Sequence, residues 1–541
     1  MVITESMKRR VGAHFVVGFH GETVSADIKS LIQRYFVGAV ILFKRNVVDG
    51  GQTRALINEL QSLARDAGHE RPLLIGIDQE NGLVSAFGRP DAGTQFPGAM
   101  ALAAAGSPEL ARQVAFLTGK ELKLVGINWV YSPVADVNNN PRNPVIGVRS
   151  YGDDPSKVSN YVSAVAQGLT DAGVAPCAKH FPGHGDTAVD SHLALPVINK
   201  SRAEIDGIEL PPFKALISQD VASVMTGHMA FPKLTSSDSP CSLSRAVTTD
   251  LLRTEMGFRG LIVTDCLEMD AISDQVQGGC GVEEGAVRAL VAGADIVMIC
   301  HTIGWQTGAI LKAYEAIQSG RVTLDESRIN TLKDNFIGGW DSLPSATNDA
   351  AFADQWRALK SESAALSKKA YSLSTALLNA SNYAPLASGK PVILYTPLIE
   401  SLNKAVDEET DGVLLTKEGK LRNTAGPSFM SFASSIAKRA PCTHMVYEPQ
   451  ASLSVPDDCV AVVFSLRNAD RWQWQLDSLG RLSQSTKKPI VVVGSCAPYE
   501  AGNVKHYPYV ACFEYTSPAL ENAASVIFGE TAALGSVPVV I

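Results

Sequence analysis

A (β/α)8 TIM-like barrel followed by a second α/β sandwich domain is the fold class this sequence predicts, on three observations. Across the first two-thirds, short β-branched runs alternate with amphipathic segments, the rhythm of repeated βα units. Polar residues gather at the C-terminal ends of those runs. From about Leu343 the composition turns polar, and a second set of strand-like runs follows. The expected domains are 1–342, the barrel, and 343–541, the sandwich.

The barrel strands are expected at 14–19 (HFVVGF), 38–43 (GAVILF), 72–78 (PLLIGID), 127–137 (INWVYSPVADV), 174–180 (VAPCAKH), 221–229 (VASVMTGHM), 260–265 (GLIVTD) and 293–299 (GADIVMI). Helices are expected at 53–68, 108–126 and 155–173; each ends at glycine and the last two open on proline. A doubly wound open sheet shares this rhythm, but the length through about residue 340 suits a barrel with elaborated loops. In the second domain, LPSATNDAAFADQW reads as turn-rich and ALKSESAALSKKAYSLSTALLN as a helix running into a strand. Further strands are expected at 391–396, 459–466, 489–495 and 509–515, and the acidic DEETD (407–411) reads as a solvated face. No G-x-G-x-x-G opens a helix after a strand there, so nucleotide binding is not expected.

Composition narrows the function classes. The chain has 541 residues, 45% hydrophobic and 19% charged, enough to bury sizeable cores. A net charge of -8 with no long basic run argues against nucleic acid as a partner. The N-terminal apolar segment is short and interrupted by His14 and His20, so neither a signal peptide nor a membrane span is expected. The nine cysteines are scattered through apolar runs, as reduced core thiols of a cytoplasmic protein would be.

The densest chemistry lies at 179–192, KHFPGHGDTAVDSH: three histidines, two aspartates and a lysine in fourteen residues. Pro182, Gly183 and Gly185 forbid a continuous helix or central strand, so these groups sit on a loop. The apolar run before it places Lys179 and His180 at a strand's C-terminal end, where barrels keep their active sites. Asp78 with Gln79 and Glu80, Asp136, His228 and Asp265 end four other strands, so all of them are expected to line one mouth. A metal site from His180, His184 and His192 is the competing reading. Its spacing matches no compact zinc signature, so no metal or other cofactor is expected.

KHFPGHGDT with DSH, IDQE (77–80), RSYG (149–152), VMTGHMAFP (224–232) and GFRGLIVTD (257–265) resembles glycoside hydrolase family 3, most of all its β-N-acetylglucosaminidase (NagZ-like) branch. The resemblance runs from GFHG and ILFKRN through the barrel, and more weakly through SLSTALLN and the C-terminal ENAASVIFGETAALGSVPVVI. It implies a retaining, exo-acting β-N-acetylglucosaminidase that removes terminal β-linked GlcNAc from chitooligosaccharides or related glycans. Asp265 matches the family's nucleophile, and Asp190 and His192 match the Asp-His pair that replaces a carboxylic acid. Asp78, Arg149, Lys179 and His180 match its sugar-hydroxyl binders, and Asp136 and His228 are expected to complete them. One departure is DQENGLV where bacterial members read DQEGGRV, which puts Leu83 at the usual arginine.

Retention needs a nucleophile on one face of the anomeric carbon and a proton donor at the leaving oxygen. Histidine, with an ordinary pKa of about 6.5, can both donate and accept near neutrality. Once deprotonated it is neutral, so phosphate could compete with water and GlcNAc phosphorolysis is a variant of the same mechanism. A family 3 β-glucosidase and a non-catalytic sugar-binding protein also fit parts of the pattern. The former lacks a use for the Asp-x-His loop, and the latter lacks one for Asp265 and His192 together. The partner expected is a small carbohydrate, met by a monomer or homodimer.

Overall fold

A computed structural model describes residues 4–541 apart from Pro90, His192, 344–348, Asn382 and 399–425. Eight parallel strands close into a barrel: β1 (Phe15–Val17), β2 (Ala39–Leu42), β3 (Leu74–Ile77), β6 (Trp129–Val130), β7 (Ala175–Phe181), β8 (Ser223–Thr226), β9 (Leu261–Cys266) and β10 (Ile296–Ile299). Each lies within an expected run or overruns it by a residue. A two-stranded hairpin, β4 (Gln79–Asn81) with β5 (Val84–Ser85), interrupts the barrel after β3. β6 is far shorter than its run because the chain meets Pro133 three residues on, and proline cannot donate to a ladder. Pairing resumes once, at a bridge between Val134 and Lys179.

Side chains alternate across each strand, and that period of two decides which polar residues can face the barrel axis. Leu74, Ala175, Cys177, Met225, Leu261, Val263, Ile296 and Met298 belong to the inner core. Ile75, Ile77, Val224, Ile262 and Val297 pack outward against the helices. Extending the inward parity brings Asp78, Lys179 and Asp265 to the mouth. It sends His228 the other way.

The expected helices form at Gly50–Asp66, Pro108–Val125 and Pro155–Asp171, opened by the side chains of Asp49, Ser107 and Asp154. The second ends at Gly126, whose left-handed φ of 100° suits glycine alone among unstrained residues. Among the described residues, no helix is long and apolar enough to cross a membrane.

The second sheet has the order β11 (Ala376–Leu378), β16 (Tyr509–Ala511), β15 (Ile490–Gly494), β14 (Ala461–Leu466), β12 (Val392–Pro397), β13 (Cys442–Tyr447), parallel except for β11. Helices Gly426–Ala437 and Ser517–Ile527 cover one face. Helix Gln473–Ser485 and the barrel's own Ala99–Ala104 cover the other. Two expectations are corrected. β13 was not foreseen, because an edge strand with alternately exposed residues carries no apolar run. The stretch read as turn-rich through Trp356 is helical from Asp349, in a helix reaching Ser374 that packs on barrel helix Pro108–Val125. DEETD lies outside the described residues.

Candidate active site

A cavity of 230 Å³ opens at the C-terminal ends of the barrel strands. Among the described residues, those that line it all precede residue 302, so the second domain contributes none of its wall. Its floor is a chain of buried charges. Lys179 Nζ donates to Asp78 Oδ1 at 2.5 Å and lies 2.7 Å from Glu80 Oε1. Arg149 grips the same Glu80 with two parallel bonds, Nε to Oε2 at 2.9 Å and Nη2 to Oε1 at 2.7 Å. Burial works against the Glu80 carboxylate, but Arg149 and Lys179 outweigh it and hold its pKa at about 2. Burial likewise opposes the Lys179 cation, and Asp78 and Glu80 outweigh it, so lysine stays charged. With Leu83 apolar, Arg149 and Lys179 are the cations that meet Glu80 among the described residues.

Asp136 organises the adjoining wall. Its Oδ2 lies 2.7 Å from His180 Nδ1, and its Oδ1 accepts the backbone N–H groups of His180 at 3.3 Å and His184 at 2.7 Å. Burial opposes the Asp136 carboxylate, but the two histidines leave its pKa below the ordinary value. With Nδ1–H given to Asp136, His180 presents Nε2 as an acceptor, 3.5 Å from Arg149 Nη2. His184 is bonded at both ring nitrogens, to Thr187 Oγ1 at 3.0 Å and Ser191 Oγ at 2.9 Å. Burial pushes its pKa down to about 4, so it is neutral at pH 7. Residues 179–191 are thereby pinned from inside, with Asp190 buried and Ser191 facing the cavity. His192 lies outside the described residues.

Asp265 reaches the cavity from the C-terminal end of β9, with Oδ1 accepting the N–H of Cys266 at 2.7 Å. Asp78, Arg149, Lys179, His180 and Asp265 thus share one cavity. Asp136 and His228 do not line it, which corrects the expectation for both. Asp136 stands behind His180. His228, on the outward parity of β8, spans Ser242 Oγ at 2.7 Å and the Cys266 carbonyl, one residue past Asp265, at 2.9 Å.

Two further carboxylates belong to the site: Glu80, expected at the mouth beside Asp78, and Glu268, which no sequence pattern marks. Glu268 lies three residues after Asp265 and accepts the N–H groups of Cys300, His301 and Thr302 at 2.6, 2.6 and 2.9 Å, tying the end of β9 to that of β10. Its signal, an acidic residue just past a strand end, is too common to identify it.

Residues 8–333 match the glycosyl hydrolase family 3 N terminal domain. The chain is 38% identical over 307 residues to a beta-hexosaminidase A of Pseudoalteromonas piscicida, a match covering 54% of this chain and 50% of that protein. The chain thus spans about half the length of that relative. A family 3 beta-N-acetylglucosaminidase from Paenibacillus sp. str. FPU-7 superposes with a TM-score of 0.83 at 33% identity, covering 100% of this chain and 99% of that one. A fungal multi-domain family 3 beta-N-acetylglucosaminidase gives 0.85 at 35%, covering 99% of this chain and 60% of the other.

Proposed function

Because the chain belongs to glycoside hydrolase family 3, we propose that it is a retaining, exo-acting β-N-acetylglucosaminidase that removes terminal β-linked GlcNAc from chitooligosaccharides or related glycans. The observation that carries the reading is the convergence on one cavity of Asp265, from β9, with the Asp78–Lys179–Glu80–Arg149 chain and the pinned residues 179–191. A cavity floored by buried ion pairs takes one terminal sugar rather than a glycan threaded through a cleft.

In this reading, Asp265 attacks the anomeric carbon and forms a glycosyl-aspartate ester. His192, oriented by Asp190, protonates the departing oxygen and then takes a proton from the incoming water. Asp78, Lys179, Arg149 and His180 hold the sugar hydroxyls. Their mutual pairing fixes each head group before substrate arrives, so little ordering remains to be done on binding. Asp136 and His228 act as positioning residues, Asp136 by setting the His180 tautomer and His228 by holding the Cys266 carbonyl, one residue past Asp265. An acid/base from the barrel's own loop agrees with a cavity wall to which the second domain contributes nothing among the described residues. A β-glucosidase of the family would need its acid from that domain.

Proton NMR of the first-formed sugar from an aryl β-GlcNAc tests the reading. Retention predicts the β-anomer, with much slower turnover of the matching aryl β-glucoside. An initial α-anomer overturns it.

A further inference from the structure

At the rim of the cavity, the ends of β9 and β10 bring two thiols and an imidazole together. The ligand atoms of Cys266, Cys300 and His301 lie within 4.8 Å of one another. We propose that these three residues bind a thiophilic divalent cation of the zinc class. Ligands at zinc–sulfur and zinc–nitrogen distances of about 2.3 and 2.0 Å stand roughly 3.5–3.8 Å apart in a tetrahedron. Side-chain shifts of about 1 Å therefore close the set.

Three features favour this site over a chance grouping. The residue types are soft or borderline donors, which select zinc-class ions over magnesium or calcium. Two of the ligands are adjacent in the chain, and their backbone N–H groups are both held by Glu268 Oε2 at 2.6 Å, so an outer carboxylate fixes the ligand peptides. The same oxygen lies 3.8 Å from Cys266 Sγ. Three protein ligands leave a fourth position, and all three residues line the cavity, so that position opens into it. On binding, each thiol gives its proton to solvent, and the cation takes two thiolates and one neutral imidazole. Cys266 follows Asp265 directly, so the bound cation and the sugar exclude one another. This last consequence alone rests on the proposed activity.

The test uses the full, reduced, metal-free chain titrated with Cd2+, read by the ultraviolet thiolate-to-cadmium charge-transfer band. The site predicts a band that saturates at one equivalent and is lost in Cys266→Ser/Cys300→Ser. His301→Ala, which keeps both thiols, should bind at least about tenfold more weakly. No band at one equivalent, an undiminished band in the double variant, or unchanged affinity in His301→Ala overturns the site. Because the histidine variant leaves the buried thiol untouched, it decides the matter if the serine variant does not fold. Zn2+ should also raise KM for an aryl β-GlcNAc without lowering kcat. Inhibition that excess substrate does not relieve overturns the shared location. A saturating band with no sugar turnover under any condition overturns the glycosidase reading and leaves the metal site standing.

Discussion

Two buried glutamates, one in each half of the molecule, meet opposite fates. Glu80 lies in the barrel mouth between Arg149 and Lys179, which hold its pKa at about 2. Glu500, in the second domain, receives the Tyr509 hydroxyl at 3.0 Å, while its other oxygen is buried without a hydrogen bond. Burial and the nearby Asp470 push it up to about 8. The barrel keeps buried charges by pairing them, and the proposed grip on sugar hydroxyls would use them at every working pH. The second domain keeps its acid protonated instead, as packing material.

The comparison breaks first at Glu500. In the folded state it holds its proton up to about 8, against 4.5 ordinarily, so its stabilisation is complete below 4.5 and is lost as pH rises to 8. Glu500→Gln should therefore be more stable than the parent above neutrality, by up to about 5 kcal/mol at pH 8, with the difference vanishing near pH 4.5. Thermal unfolding across that range checks it, and parallel profiles for variant and parent contradict it.

At the mouth the sign reverses. Arg149→Leu leaves Glu80 with half its pairing and should cost about 3–5 kcal/mol of stability. Because Arg149 also lines the cavity and holds Glu80 in place, the change should lower kcat/KM on an aryl β-GlcNAc by at least about a hundredfold. Arg149→Leu/Glu80→Gln sharpens the point: removing both charges should recover much of the stability and none of the turnover. Recovery of turnover as well would assign the pair a purely structural role.

Neutral histidines give the next effect. Burial holds both His14 and His184 at about 4. Above 6.5 neither state binds the proton; between 6.5 and 4 only the unfolded state does, so stability falls as pH falls. The loss is on the order of 3 kcal/mol per histidine. His184→Gln should make the acid limb of a thermal-stability profile shallower by about one proton, whereas an unchanged slope would show that His184 titrates freely.

The smallest effect comes from where the halves meet. Arg471 Nη2, in the second domain, donates to the Asn143 carbonyl at 2.7 Å, and Asn143 Nδ2 bonds the carbonyls of His184 at 2.8 Å and Gly185 at 2.9 Å. The second domain thus braces both loops of the site without entering the cavity. Arg471→Ala should cost about 1–2 kcal/mol and raise KM a few-fold with kcat nearly unchanged. A collapse of kcat would place the second domain in the chemistry.

The sequence was most legible where one physical rule decided the outcome. Eight apolar runs became eight barrel strands because a parallel sheet buried on both faces requires such runs. The histidine loop stood out through its density of titratable groups between prolines and glycines. Legibility failed where several rules compete. β13 lies at a sheet edge and shows only alternation, and the 349–374 helix begins inside a polar stretch because tertiary packing on the barrel outweighs composition. His228 sits on the same run as inward residues, and a strict count along β8 would have sent it outward. Glu80 was visible beside Asp78, but its partner Arg149 comes from a loop that no local pattern ties to it.

The most direct measurement is azide rescue of Asp265→Gly. If Asp265 is the covalent nucleophile, the variant loses several orders of magnitude of turnover on an activated aryl β-GlcNAc, and added azide restores it with an α-glycosyl azide as product. Turnover near the parent's without azide, or rescue that yields only the β-azide, would contradict the assignment.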